Sequence, residues 1–215
     1  MKTTAEGSFL MDLGQAISLL QSDPATFIKT EYLVIAGGGG SHVAGDTICK
    51  LEARSGTGGG WRMTVREQNN PRALAADEFR AWYIPMQQVG TMQANRLPDA
   101  ATSPLTLMVT SQLTACIFGV GRDAGGTIVA HIQPDQSGHM GIQDAKTRDQ
   151  FRQSDARMKA RIAGMGPLMA KYRDDGYGEM ESVTVVGKRD TNGQWVVLAQ
   201  KHHHSASTIS GLVTM

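Results

Sequence analysis

The chain has 215 residues, with 21 Lys plus Arg against 20 Asp plus Glu and a formal net charge of +1. That balance removes any bulk electrostatic case for nucleic acid or an acidic membrane as partner, and the length suits one large domain with a substantial core. The 25 glycines against only 5 Phe, 4 Tyr and 3 Trp favour many turns and strands over a helical bundle.

Residues 8–21 carry Phe9, Leu10, Leu13, Ile17 and Leu20 at helical spacing, which predicts a short amphipathic helix ended by Asp23-Pro24. Strands are expected over Tyr32–Ala36, Thr47–Glu52 and Trp61–Val65, joined by the glycine-rich connections Gly37–Gly40 and Gly56–Gly60. Trp82-Tyr83-Ile84-Pro85 and Leu105–Thr110 read as further strands leading into a hairpin. A helix is predicted from Ala145 to Ala163, opened by the capping-box pattern Thr147-x-x-Gln150, with Phe151, Met158 and Ile162 on one face. Gly164 to Pro167 breaks it, and Leu168–Tyr172 reads as its continuation. Ser182–Lys188 and Gln194–Gln200 close the chain as a hairpin about Asp190-Thr191-Asn192-Gly193. With no internal repeat and no linker, the expectation is a single α/β (α+β) domain with a largely antiparallel sheet or sandwich core.

The hairpin holds the most informative pair. Leu113–Val120 and Thr127–Ile132 are apolar runs separated by Gly121–Gly126. Taking the midpoint of the reversal between Asp123 and Ala124 sets Cys116 and His131 directly opposite each other on one face. Opposed residues have Cβ atoms about 5 Å apart, within reach for a thiolate–imidazolium nucleophile. A buried core cysteine facing a structural histidine is the competing expectation. Thr110, Ser111 and Gln112 precede Cys116 and are polar in a strand-like run, so any of them can orient the imidazole or serve an oxyanion, although strand-end polarity suffices for Ser111.

Other chemistry is weaker. Gly37–Gly40 lacks the Gly-Lys-Ser/Thr ending of a phosphate loop. His202-His203-His204 has no Cys or carboxylate at ligand spacing, and neighbouring histidines in a strand face opposite ways, so no metal is expected. Arg148, Arg152, Lys159 and Arg161 alternate with Asp149 and Asp155 as on a solvated helix face. His42 and His139 have no evident partner in the sequence. The opening seven residues have no basic stretch ahead of a long apolar run, so no Sec-type signal is expected. No apolar run approaches the roughly 20 residues of a membrane-spanning helix. Cys49 and Cys116 are expected as reduced thiols, with a single bridge between them left open.

Three segments resemble the cytotoxic necrotizing factor and Burkholderia lethal factor-like family of glutamine deamidase toxins. Leu113-Thr114-Ala115-Cys116 is similar to the Leu-Ser-Gly-Cys motif around the family nucleophile. Gly125-Gly126-x-Ile128-Val129-Ala130-His131-Ile132 is similar to the segment ending in its catalytic histidine, and Trp82–Gln88 to a Trp-Leu-Pro-Trp-Lys-Gln stretch. The resemblance covers about a quarter of the chain, and Thr114-Ala115 departs from Ser-Gly beside the nucleophile. It implies a β-sandwich flanked by helices, with Cys116 as nucleophile, His131 as base and Thr110 as the residue orienting His131. The backbone at Ala115 and Cys116 would form the oxyanion site. The implied reaction converts glutamine to glutamate through a thioester, with no cofactor; an amine in place of water would make it a transglutaminase. Family members modify Rho-type GTPases or a translation-initiation helicase, so the implied partner is a protein substrate, met by a monomer delivered to a target cell's cytosol. A chemoreceptor-type deamidase, a cysteine amidase or protease, and a non-catalytic binding module remain as alternatives.

Overall fold

The computed structural model describes residues 11–36, 43–55, 59–68, 70–88, 93–114, 116–133, 153, 156–158, 160–163, 168–172, 181–203 and 208–215. Two helices open it, α1 (Leu13–Ser22) and α2 (Pro24–Thr30). Asp12 caps α1, its carboxylate accepting from Gln15 N at 2.8 Å while the Gln15 side chain accepts in return from Asp12 N. The first helix stops at Asp23-Pro24 as expected, and the same pair starts a second helix. Asp23 caps α2 by accepting from Thr26 N, and Pro24 occupies the first turn, where a missing N–H costs nothing.

Thirteen strands follow among the described residues. They are β1 (Leu33–Ala36), β2 (Gly45–Ala53), β3 (Trp61–Gln68), β4 (Glu78–Ile84), β5 (Met86–Gln88), β6 (Asn95–Arg96), β7 (Leu107–Thr110), β8 (Ile117–Asp123), β9 (Gly126–Gln133), β10 (Leu168–Tyr172), β11 (Glu181–Arg189), β12 (Trp195–His203) and β13 (Thr208–Thr214). An eight-stranded sheet runs β1-β3-β2-β4-β7-β11-β12-β13, and a second runs β10-β8-β9-β5, with β6 also pairing β9. Most pairs are antiparallel; β1–β3, β4–β7 and β5–β9 are parallel.

The large sheet is curled, and side chains tie its first strand to distant ones. Gln200 Oε1 accepts from Leu33 N at 3.0 Å, Thr184 Oγ1 donates to Leu33 O at 2.6 Å, and Gln112 N donates to Ile35 O. These bonds satisfy backbone groups on the outer edge of β1. One face of the sheet packs Leu33, Cys49, Leu51, Met63, Phe79 and Leu198 against Ala16, Leu20, Phe27 and Ile28 of the helices. Its other face packs Ile84, Met108, Val183, Val185 and Val197 against Cys116, Phe118, Val120 and Val129 of the second sheet. That sheet buries Ile117, Ile128, Ala130 and Ile132 on its far side against Met158 and Ile162, from helical residues 156–158 and 160–163. The layering is helix, sheet, sheet, helix: the expected α+β sandwich with flanking helices.

Several expectations need correction. Leu168–Tyr172 continues no helix; it is β10, paired with β8 from Phe118 to Gly121. The run from Leu113 to Val120 is not one strand, since Leu113 makes an isolated bridge to Val183 of β11 and β8 begins at Ile117. The hairpin register also differs. Asp123 pairs with Gly126, the turn is Ala124-Gly125, and His131 faces Phe118 instead of Cys116. The reason is local: the Asp123 carboxylate accepts from Gly125 N at 2.8 Å and is clamped by Arg96 at 2.6 and 2.7 Å, while Gly126 takes φ +113°. These contacts fix a two-residue turn, moving the centre by one residue and every partner by two. The Asn192-Gly193 turn is as expected, with Gly193 at φ +81°. The capping box at Thr147, with Phe151, lies outside the described residues, as do Gly37–Gly40, His42, His139 and Ala115. Among the described residues no helix is long and apolar enough to cross a membrane.

Candidate active site

The site lies where two segments cross from the large sheet to the second one. The first is Glu78–Gln88: β4 ends at Ile84, Pro85 interrupts it, and β5 resumes at Met86 beside His131 of β9. The second runs from Thr110, paired with Ile84 at the end of β7, through Leu113 to Cys116 at the start of β8. Met86, His131 and Phe118 are direct partners across β5, β9 and β8. Their side chains therefore leave the sheet on one face, the face turned toward the large sheet.

His131 is 0% exposed. Thr110 Oγ1 donates to Ile84 O at 2.7 Å and lies 2.6 Å from His131 Nδ1. A carbonyl can only accept, so the single hydroxyl proton goes to Ile84 and the ring must donate from Nδ1–H. This assigns the tautomer and leaves Nε2 as a bare lone pair. Nε2 is buried without a hydrogen-bond partner. Burial pushes the imidazole down to about 3, so it rests neutral. Phe118 presents its ring edge-on at 6.2 Å between centroids.

Cys116 is 4% exposed, and its thiol donates to Met86 Sδ at 3.5 Å, with Met86 37% exposed at the rim. Cys116 approaches from the β8 side and Met86 from the β5 side, so their sulfurs meet over β9, the strand that carries His131. No hydrogen bond joins the thiol to the imidazole. The expected thiolate–imidazolium pair is thus not the resting arrangement, in which the thiol bonds a thioether and the ring is neutral. Both cysteines are thiols with no disulfide. Cys49 sits in the other core, its thiol pushed up to about 12 by burial and then by the charge of Asp46.

The remaining candidates separate. Ser111 pairs with Tyr83, their hydroxyls 2.8 Å apart, and Gln112 donates to Ser182 Oγ at 2.5 Å, so neither turns to the thiol. His202 is buried among Ser182, Thr184 and Gln112, while His203 is exposed. A cleft of about 240 Å³ opens by the turn end of the hairpin, lined by Trp82, Arg96, Leu97, Pro98, Asp99, Thr102 and Gly125. It contains neither Cys116 nor His131. Met86 and the Ile84 carbonyl went unnoticed in the sequence; the available signal was Pro85, which halts one strand and re-aims the chain at the next sheet.

No protein-family model matches the chain, and no curated protein does. The resemblance to glutamine deamidase toxins therefore rests on its three short segments. All three run through this seam or through the hairpin beside it.

Proposed function

We propose that this protein is a cysteine-dependent protein glutamine deamidase, acting as a bacterial toxin or effector on a protein of its target cell. One observation carries the reading. Thr110 holds His131 by its Nδ1–H and leaves Nε2 unprotonated and unpartnered, on a residue whose register partner Phe118 shares the inter-sheet core with Cys116. A bare imidazole lone pair with its other nitrogen anchored is the form a general base requires.

In the reaction, His131 Nε2 takes the Cys116 proton as sulfur attacks Cδ of the substrate glutamine. Backbone N–H groups at the start of β8 stabilise the tetrahedral oxyanion. The ring returns the proton to departing ammonia, and water, deprotonated by the same nitrogen, hydrolyses the thioester to glutamate. Because the resting ring is neutral, proton transfer accompanies attack. The substrate carboxamide must also move the Met86 side chain off the sulfur before reacting. The resembled family suggests a small GTPase or a translation helicase as substrate, with the protein acting as a monomer.

One observation favours a second reading, a binding module in which the pair is packing: the ring is wholly buried and does not bond the thiol. Intact-mass measurement of candidate substrates separates the two. Deamidation adds about one dalton per glutamine and leaves the chain whole, whereas a protease with the same pair cuts it. No mass change on any candidate, with Cys116 also inert to acyl-thiol trapping by a glutamine peptide, sinks the enzymatic reading.

A further inference from the structure

We propose that Cys116, Met86 and His131 form a binding site for a soft monovalent metal ion of the copper(I) class. The inference goes beyond deamidation and does not depend on it, since it concerns the donors alone.

The two sulfurs are 3.5 Å apart. Two sulfur ligands on one ion, each at about 2.3 Å, are separated by roughly 3.8–4.0 Å at tetrahedral-to-trigonal angles, so the observed pair has to open by only a few tenths of an ångström to share an ion. The third donor is on the same side. Met86 and His131 are register partners on β5 and β9, and the sulfurs meet above β9. His131 Nε2 is a buried lone pair without a partner, an arrangement that costs stability for an unsatisfied polar atom. A metal ion accepts that lone pair. Thr110 meanwhile holds Nδ1–H, as the outer partner of a metal-ligating histidine usually does, fixing ring angle and tautomer.

The donor set selects the ion. Thiolate, thioether and imidazole together suit copper(I), which is content with three ligands. Zinc favours four ligands drawn from thiolate, imidazole and carboxylate. Among the described residues no three His, Cys, Asp or Glu side chains come together. Binding releases the Cys116 proton to solvent and forms bonds from Sγ, Sδ and Nε2 to the metal, with no change of oxidation state. The occupied thiol would be unavailable as a nucleophile, so copper(I) would act as a reversible block on the same sulfur.

The test is an anaerobic titration of the full chain with copper(I) buffered by the chromophoric chelator bicinchoninate. The expected result is one ion withdrawn per chain, absent in Cys116→Ser, with iodoacetamide labelling of Cys116 suppressed at saturation. Met86→Leu keeps the side chain's volume at a half-exposed position and should weaken binding at least tenfold, as should Thr110→Val, which leaves the ligands intact. Copper(I) bound as tightly by Met86→Leu as by the parent would reduce the site to an isolated thiol and overturn the proposal. Full stoichiometry in Cys116→Ser would do the same by placing the ion elsewhere. No substrate enters the titration, so a failed deamidation assay leaves its outcome unaffected.

Discussion

Two histidines, His202 and His131, are equally buried and have opposite hydrogen-bond balances. At His202 a chain of donors closes. Gln112 donates to Ser182 Oγ, which lies 2.8 Å from Nδ1; on the other side Nε2 meets Thr184 Oγ1 at 3.2 Å, and Thr184 donates to Leu33 O. Both ring nitrogens are matched, and the ring also sits edge-on to Tyr32 at 4.6 Å. That network ties β1, β11, β12 and the segment before Cys116 together. At His131 the arrangement stops halfway, with Nδ1 anchored and Nε2 bare. A satisfied buried imidazole stabilises the fold, whereas a half-satisfied one costs stability and keeps a reactive lone pair. On the proposed reading, His202 serves structure and His131 serves chemistry.

The sharpest way to break that contrast is by activity. Cys116→Ser should lower deamidation by about a thousandfold or more, the scale seen when a nucleophile is removed from such a unit. His202 variants that still fold should keep the parental rate. Equal losses at the two places, measured by mass spectrometry on a common substrate, would erase the distinction.

Stability should show the reverse order. His202→Ala strands Ser182 and Thr184 partners in the core and should cost about 2–4 kcal/mol in urea denaturation. His131→Gln removes an orphaned acceptor and should stay within about 1 kcal/mol of the parent. A His131→Gln cost as large as that of His202→Ala would mean that the seam histidine is structural after all.

Acid should expose the same lone pair. His131 titrates near 6.5 when unfolded and is held down to about 3 in the fold, so between those values the unfolded chain binds more protons. Stability is therefore lost as pH falls through this window, by up to about 1.4 kcal/mol per unit. Denaturation midpoints at pH 4, 5, 6 and 7 should show that slope in the parent and a shallower one in His131→Gln.

The smallest effect concerns the two thiols. Cys49 is 0% exposed and pushed up to about 12, while Cys116 lies at the seam next to a half-exposed methionine. Cys116 should alkylate roughly tenfold faster near neutral pH. Peptide mapping that finds equal labelling would place both sulfurs in the packing class.

Strand content, the Asn192-Gly193 hairpin and the apolar stripe of α1 were readable because each is encoded within a few neighbouring residues. α2 was missed because Asp23-Pro24 reads equally as a stop and a start. β10 was missed because Leu168–Tyr172 gives no period that separates helix from strand, and its pairing with β8 decides the matter. The hairpin turn was misplaced by one residue because its centre depends on Arg96, which is 27 positions from Asp123.

The amino-acid sequence by itself determined the fold class, the hairpin and the candidates Cys116, His131 and Thr110, since short-range pattern and motif carry that information. Only the tertiary structure decided how they meet. It set Cys116 against Met86, turned the imidazole proton toward Thr110, and enclosed the second nitrogen without a partner. Those outcomes depend on two segments switching sheets at one place, and a contact made across 21 or 30 positions has no local signature.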